Sequence, residues 1–374
     1  MKKEIKRSYI REILDATNEN TISFAGGLPA SDLFPMDEIK DATLKALGNK
    51  ESLQYSKSLG IDSLREKIAG FYTNKLNFKT SKDEILITSG SQQALDIVLK
   101  TIDKEDIIVE NPSYIGALLS FQVLNKQLDC FSKIDELKTK LDNSNMLYLI
   151  SDFQNPSTKS YSFNERKIIA EILNKNKSFL IEDGAYNFLD FSNEYKTPIS
   201  KYCSKSVHLG SFSKIVSPGL RVGWIRADKE LINKLIVIKE ALDLHTSTLN
   251  QMILNEYLNA NDLFLHIENI NSIYKKKMNF MAACFDKYIP SFKYIKPLGG
   301  MFIYGKFEVD SMELAKNVLE KNIAFVPAEV FYINKKSNEA RFNFTNCSYD
   351  QIEFGIKAIG KILDEKRDFS GSIW

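Results

Sequence analysis

The stretch EILITSGSQQALDIVLKTI, residues 84–102, reads as a strand, a turn and a helix. Its apolar run Ile85-Leu86-Ile87 is too short for a helix and stops at Thr88-Ser89-Gly90. From Ser91 the apolar residues take up helical spacing. The same alternation recurs outward to about residue 230. Apolar runs stand at DIIVENP (106–112), MLYLISDF (146–153), SFLIEDGAY (178–186), SVHLGSFSK (206–214) and VGWIRA (222–227). Helical stretches such as NERKIIAEILNKN (164–176) lie between some of them. Strands alternating with helices predict an α/β fold with a mostly parallel sheet flanked by helices.

Past residue 260 the pattern changes. A long helical segment, 261–288, leads into FKYIKP, GGMFIYGKF, a helix near 312–322, IAFVP, ARFNFTN and a final helix from Tyr349. This predicts a smaller α+β domain. The expected division is a large domain over 51–260 and a small one from 1–50 and 261–374. Gly300 to Lys306 has the spacing of a phosphate loop, but Phe307 stands where magnesium would need a hydroxyl, and the segment is strand-like.

The composition narrows the function. Among 374 residues, 50 Lys+Arg nearly balance 48 Asp+Glu, which argues against nucleic acid as a partner. No apolar run approaches a membrane span, and the basic start MKKEIKRSYIREIL lacks the core of a signal peptide, so a cytoplasmic protein is expected. Cys130, Cys203, Cys284 and Cys347 are scattered and read as reduced thiols. His208, His245 and His266 show no metal-ligand spacing, so no metal is expected.

In an open α/β sheet, ligands bind at the carboxyl ends of the strands. Here those ends carry Ser89-Gly90-Ser91-Gln92, Asn111-Pro112-Ser113-Tyr114, Asn155-Pro156, Asp183-Gly184-Ala185-Tyr186 and Ser211-Phe212-Ser213-Lys214. Gly90-Ser91-Gln92 would open a helix whose free N–H groups suit a phosphate, although Ser91 alone also reads as a cap. Lys214, just past a buried strand and seven residues before Arg221, could lose its proton easily and attack a carbonyl. Taken alone it reads sooner as a surface lysine before a turn. Asp183 ends a buried run, where a carboxylate calls for a cation such as a pyridinium nitrogen. Tyr186 could donate to a ring oxygen and Tyr114 could stack on a ring. Phosphate, ring nitrogen, ring oxygen, ring face and aldehyde together are the parts of pyridoxal phosphate.

Ordered motifs along almost the whole chain resemble the fold-type I, class I/II aminotransferases. The likeness is to the branch with 2-aminoadipate, kynurenine and aromatic aminotransferases. The motifs include ISFAGGLPASDLFP, LQYSKSLGIDSLREKIAGFY, ITSGSQQALDIV, VENPSYIGAL, FQNPSTKS, IEDGAYNFLDF, HLGSFSKIVSPGLRVGWI, PLGGMFIY and ARFNFTN. The resemblance implies a seven-stranded sheet and a homodimer with shared active sites. It makes Lys214 the residue that carries pyridoxal 5'-phosphate, Asp183 the partner of its ring nitrogen, and Asn155 and Tyr186 the partners of its ring oxygen. Tyr114 would stack on the ring. Ser91, Gln92, Ser211, Ser213 and Arg221 would hold the phosphate, with Tyr55 reaching the neighbouring subunit's. Arg341, Asn155 and Gly27 would bind the substrate carboxylate. The implied reaction is ping-pong transamination between an amino acid and a 2-oxo acid, with Lys214, Asp183 and Tyr114 as its catalytic residues.

Some positions depart from that pattern: Ser157-Thr158 where Thr-Gly is common, Gly184 where Asp or Pro is usual, and Ala328 where Gly is typical. They bear on pocket shape. Two other readings stand beside the main one: a C–S β-lyase on the same fold, and a non-catalytic protein that keeps the cofactor site. The resemblance extends to regulators with an N-terminal winged helix, but no such DNA-binding domain is expected here, since the sequence opens on the aminotransferase-like part. Finally, the N-terminal segment is expected to fold over the pocket and bring Arg11 to the distal carboxylate of an acidic substrate. The plainer alternative pairs Arg11 with Glu12 or Asp15.

Overall fold

The computed structural model describes Ile13 and residues 18–371, with side chains through residue 365. The first strand, β1 (Ile22–Ser23), belongs to the smaller unit. Next come β2 (Ile85–Thr88), β3 (Asp106–Glu110), β4 (Gln127–Phe131), β5 (Asn145–Leu149), β6 (Phe179–Asp183), β7 (Ser206–Ser211) and β8 (Gly223–Arg226). These seven form one sheet in the order β2-β8-β7-β6-β5-β3-β4. Strands β3 to β7 run parallel, while β8 is antiparallel to both β2 and β7. Every residue of β5, β6 and β7 is buried, as expected for strands covered on both faces. The edge strand β4 instead alternates in exposure.

Helices close the sheet, and their ends are written in the sequence. The helix Phe163–Asn176 starts with a capping box. Ser162 Oγ accepts from Glu165 N, and the Glu165 carboxylate accepts from Ser162 N at 2.8 Å. The helix Ser91–Thr101 begins directly after β2, so its N-terminus lies at the carboxyl edge of the sheet.

The smaller unit holds β9 (Lys293–Tyr294), β10 (Phe302–Lys306), β11 (Ile323–Ala324), β12 (Val326–Pro327) and β13 (Glu339–Asn343). The order β12-β13-β10-β9 makes one antiparallel sheet, and β11 pairs in parallel with β1. The long helices Leu263–Tyr288 and Tyr349–Gly371 pack on each other beside it. Phe285, Phe292, Phe307, Phe325 and Phe342 stack into an aromatic core. Residues 302–306, with phosphate-loop spacing in the sequence, are strand β10. The helix Met36–Leu47 packs on the helix Thr248–Ala260. Among the described residues, no helix is long and apolar enough to cross a membrane.

Candidate active site

The carboxyl ends of the large sheet and one face of the small sheet enclose a cavity of about 700 Å³. Its walls hold Gly27, Ser91, Gln92, Tyr114, Asn155, Asp183, Tyr186, Lys214, Arg221 and Arg341. Residues spread over most of the chain therefore meet in one space. Leu28, Ile115, Leu119 and Ile150 supply an apolar part of the wall.

Lys214 follows β7 in a single 3-10 turn and its Nζ donates to Gly27 O at 2.7 Å. Among the described residues, no carboxylate neutralises it. Burial, then the nearby charges of Arg341 and Arg221, push its amine down to about 8. Asp183, at the end of β6, accepts from Tyr148 OH at 2.9 Å and from Ala185 N at 3.2 Å. Burial raises its carboxyl to about 6 in spite of these two donors. Asn155 Nδ2 donates to Tyr186 OH at 3.3 Å.

Arg341 projects from β13. Its Nη1 donates to Asn155 Oδ1 at 2.6 Å and its Nη2 to Ala25 O at 2.5 Å. Phe302 and Phe331 lie 4.2 and 5.0 Å from the guanidinium carbon. The Nε is buried without a hydrogen-bond partner, and burial lowers the group to about 10. A buried donor left open in this way is costly unless a ligand completes it.

The opposite end of the cavity is an anion corner. The helix Ser91–Thr101 points its N-terminus there after Gly90, whose φ is 86°. A Cβ at Gly90 would stand 2.5 Å from Arg221 Nη2, so only glycine lets the guanidinium lie across this turn. Arg221 Nη2 donates to Ser89 O at 3.3 Å and Nη1 to Ser213 Oγ at 3.4 Å. Ser211 Oγ donates to Ser213 Oγ at 2.8 Å. Gln92 turns its amide away, to Ser120 Oγ at 2.6 Å and Gly116 O at 3.3 Å. Its part in the corner is therefore its backbone at the helix start.

These groups fit pyridoxal phosphate. A guanidinium, hydroxyls and a helix N-terminus suit its dianion. A buried acid suits the ring nitrogen, an amide–phenol pair suits the ring oxygen, and a largely buried amine suits the aldehyde. Arg341 keeps an open donor for a carboxylate.

Two expected residues stand apart. Tyr55 is 78% exposed and meets His245 edge-on at 5.7 Å, away from this cavity. Arg11 lies outside the described residues. Ile13, in the same segment, is buried in a cluster with Ala25 and Phe331, against which the cavity-lining Ile115 packs. Gly184 has a local reason: a Cβ there would stand 2.3 Å from His208 Cε1. That histidine is held by Tyr72 OH at 2.6 Å. Tyr148, Ala25, Phe302 and Phe331 were not anticipated. Tyr148 sits inside an apolar strand, and a phenol in MLYL is the one sign that a buried polar partner lies nearby.

The family model for aminotransferase class I and II matches residues 19–359, and the chain belongs to that family of pyridoxal-phosphate-dependent transaminases. It is 33% identical to aromatic-amino-acid aminotransferase 1 of Thermococcus litoralis, over 97% of this chain and 93% of that protein. It is 32% identical to 2-aminoadipate transaminase of Thermus thermophilus, over 96% and 94%. A crystal structure of the alpha-aminoadipate aminotransferase of Thermus thermophilus, complexed with N-(5'-phosphopyridoxyl)-L-leucine, superposes with a TM-score of 0.88 at 32% identity. That superposition covers 96% of this chain and 95% of the other.

Proposed function

We propose that this transaminase takes the amino group of an aromatic, aliphatic or 2-aminoadipate donor and passes it to a 2-oxo acid, 2-oxoglutarate above all, in two ping-pong half-reactions. The observation that carries the reading is Arg341: a buried guanidinium with an open Nε in the cavity of Lys214. One cation that binds any α-carboxylate lets donor and acceptor use the same site in turn. The apolar wall of Leu28, Ile115, Leu119 and Ile150 suits aromatic and aliphatic side chains.

When bound, pyridoxal phosphate supplies a carbonyl to join the substrate amine and a ring to accept the electron pair left at Cα. Lys214 Nζ would take the substrate Cα proton as base and give it back as acid. Asp183 would hold a proton on the ring nitrogen, and Tyr148 OH and Ala185 N donate to its carboxylate and fix it in place. Asn155 and Tyr186 would orient the ring oxygen, and Tyr114 would hold the ring face.

We further assign the active unit as a homodimer. The outward Tyr55 supports this, since it is free to enter a neighbouring site. The four unpaired cysteines fit the reducing cytoplasm. Arg11 is assigned to the distal carboxylate of acidic substrates, supported by the burial of Ile13 beside the cavity-lining Ile115.

The deciding experiment adds single amino acids to the yellow holoenzyme. Bleaching to the pyridoxamine form with matching release of the oxo acid supports transamination. Release of ammonia and pyruvate points instead to a C–S β-lyase. No spectral change with any amino acid leaves a non-catalytic binding protein.

A further inference from the structure

The segment Ala25–Ala30 crosses the cavity floor between its two inner cations. Its carbonyls face both: Ala25 O accepts from Arg341 at 2.5 Å and Gly27 O from Lys214 Nζ at 2.7 Å. Nothing in the segment is helical or paired in a sheet, so other groups must fix its position. The end of β13 and the residues after it do so. Asn343 N donates to Phe24 O at 2.8 Å. Thr345 Oγ1, fully buried, donates to Leu28 O at 2.6 Å, and Asn343 Nδ2 reaches the same oxygen at 3.4 Å. Beyond it, Tyr274 OH accepts from Ala30 N at 3.0 Å.

We infer that Thr345 is a positioning residue for Lys214: by gripping Leu28 O it holds the adjacent Gly27 carbonyl where it accepts from the lysine amine. The inference rests on Lys214 being the cofactor-bearing, proton-carrying residue. A carbonyl that accepts from Nζ favours the charged amine, whereas burial and the neighbouring arginines oppose it. The titratable groups around the amine are Arg341, Arg221, Asp183, Tyr186 and Tyr114 in the cavity, with Tyr274 behind it. Among the described residues no carboxylate pairs with it, and the Gly27 carbonyl is the acceptor the amine has there. Loosening the segment removes that acceptor and leaves the opposing effects in place. The same segment touches Arg341, so the grip also sets the spacing between the carboxylate-binding cation and the proton carrier.

The test reads the amine itself in the cofactor-free protein. The pH dependence of Lys214 acetylation by limiting acetic anhydride is followed by peptide mass spectrometry. Thr345→Val keeps the shape and removes the hydroxyl. Its labelling midpoint falls by about 0.5–1 pH unit, as expected for losing one hydrogen bond to a charged group. Thr345→Ser restores the wild-type midpoint. In the holoenzyme, Thr345→Val lowers kcat several-fold. A wild-type midpoint in folded Thr345→Val overturns the inference. If that variant fails to fold, Tyr274→Phe, which loosens the far end of the segment, decides in its place by the same shift or its absence. Failure of the underlying reading is seen separately: Lys214→Ala would then keep a borohydride-reducible link to the cofactor.

Discussion

Two arginines, Arg166 and Arg341, are each 1% exposed, yet their surroundings differ in kind. Arg166 donates from Nε to Tyr161 O at 2.9 Å, from Nη1 to Thr197 O at 3.1 Å, and from Nη2 to Ser151 O at 3.0 Å and the Asp152 carboxylate. Lys196 adds a second cation 3.9 Å from Asp152. That site is closed: its charges are matched inside the protein. Arg341 has one amide oxygen, one carbonyl, two aromatic faces and an open Nε. Among the described residues, no carboxylate pairs with it. Asp183 is its counterpart, a buried acid served only by a phenol and a backbone N–H. A buried ion matched internally supports the fold, whereas one left incomplete is matched to a ligand.

Substitutions can break or sharpen this contrast. The largest effect is expected at Lys214. Lys214→Ala removes nucleophile and proton carrier together and lowers turnover by more than about 10⁴-fold. The variant also loses the borohydride-reducible link. Asp183→Asn is expected to keep the fold and lower kcat by about two orders of magnitude or more. It also tests the sign of the linkage. Burial raises the Asp183 carboxyl to about 6, so the folded apoprotein binds more protons than the unfolded chain between about pH 4 and 6. Its contribution to stability is present below that window and is lost as pH rises through it. Melting curves of the apoprotein across pH 4–7 should therefore fall less steeply in Asp183→Asn than in wild type.

The two arginines give the sharpest test. Arg166→Met leaves the buried Asp152 with Lys196, 3.9 Å away, as its remaining cation, and urea unfolding should show a loss of about 3–5 kcal/mol. Arg341→Met should cost the apoprotein no stability, while raising KM for every amino acid roughly 10- to 150-fold through a lost charge-assisted contact. If Arg341→Met unfolded the protein as readily as Arg166→Met, the distinction between closed and open sites would collapse. The smallest effect is at Arg11. Arg11→Ala should raise KM for glutamate and 2-aminoadipate roughly 10-fold and leave phenylalanine unchanged. Equal effects on both classes would make Arg11 a surface residue.

The strands and their order of appearance were legible because β5, β6 and β7 are buried on both faces and so read as unbroken apolar runs. The convergence of Ser91, Asp183 and Lys214 followed from the rule that parallel strands present their carboxyl ends together. Three things were not legible. The antiparallel sense of β8 depends on the tight return from Lys214 through Pro218 and Arg221, which periodicity does not encode. The packing of the helix Met36–Leu47 has no local sign, because its partner lies about 200 residues downstream. Tyr148 was invisible as a partner of Asp183, since a phenol in a buried strand looks like any packed aromatic until its oxygen is located.

The placement of β8 between β2 and β7 has a consequence for synthesis on the ribosome. Among the described residues, strand β2 pairs only with β8, which is translated long afterwards. The anion corner needs Gly90 and Arg221 side by side, and the carboxylate corner needs Ala25 and Arg341. A nascent chain that ends before β13 has Lys214 but lacks the carboxylate corner, and one that ends before Arg221 lacks the phosphate corner as well. Contacts of such long sequence separation form late. Tight capture of the cofactor is therefore a property of the completed polypeptide, and the yellow colour marks chains that have finished folding.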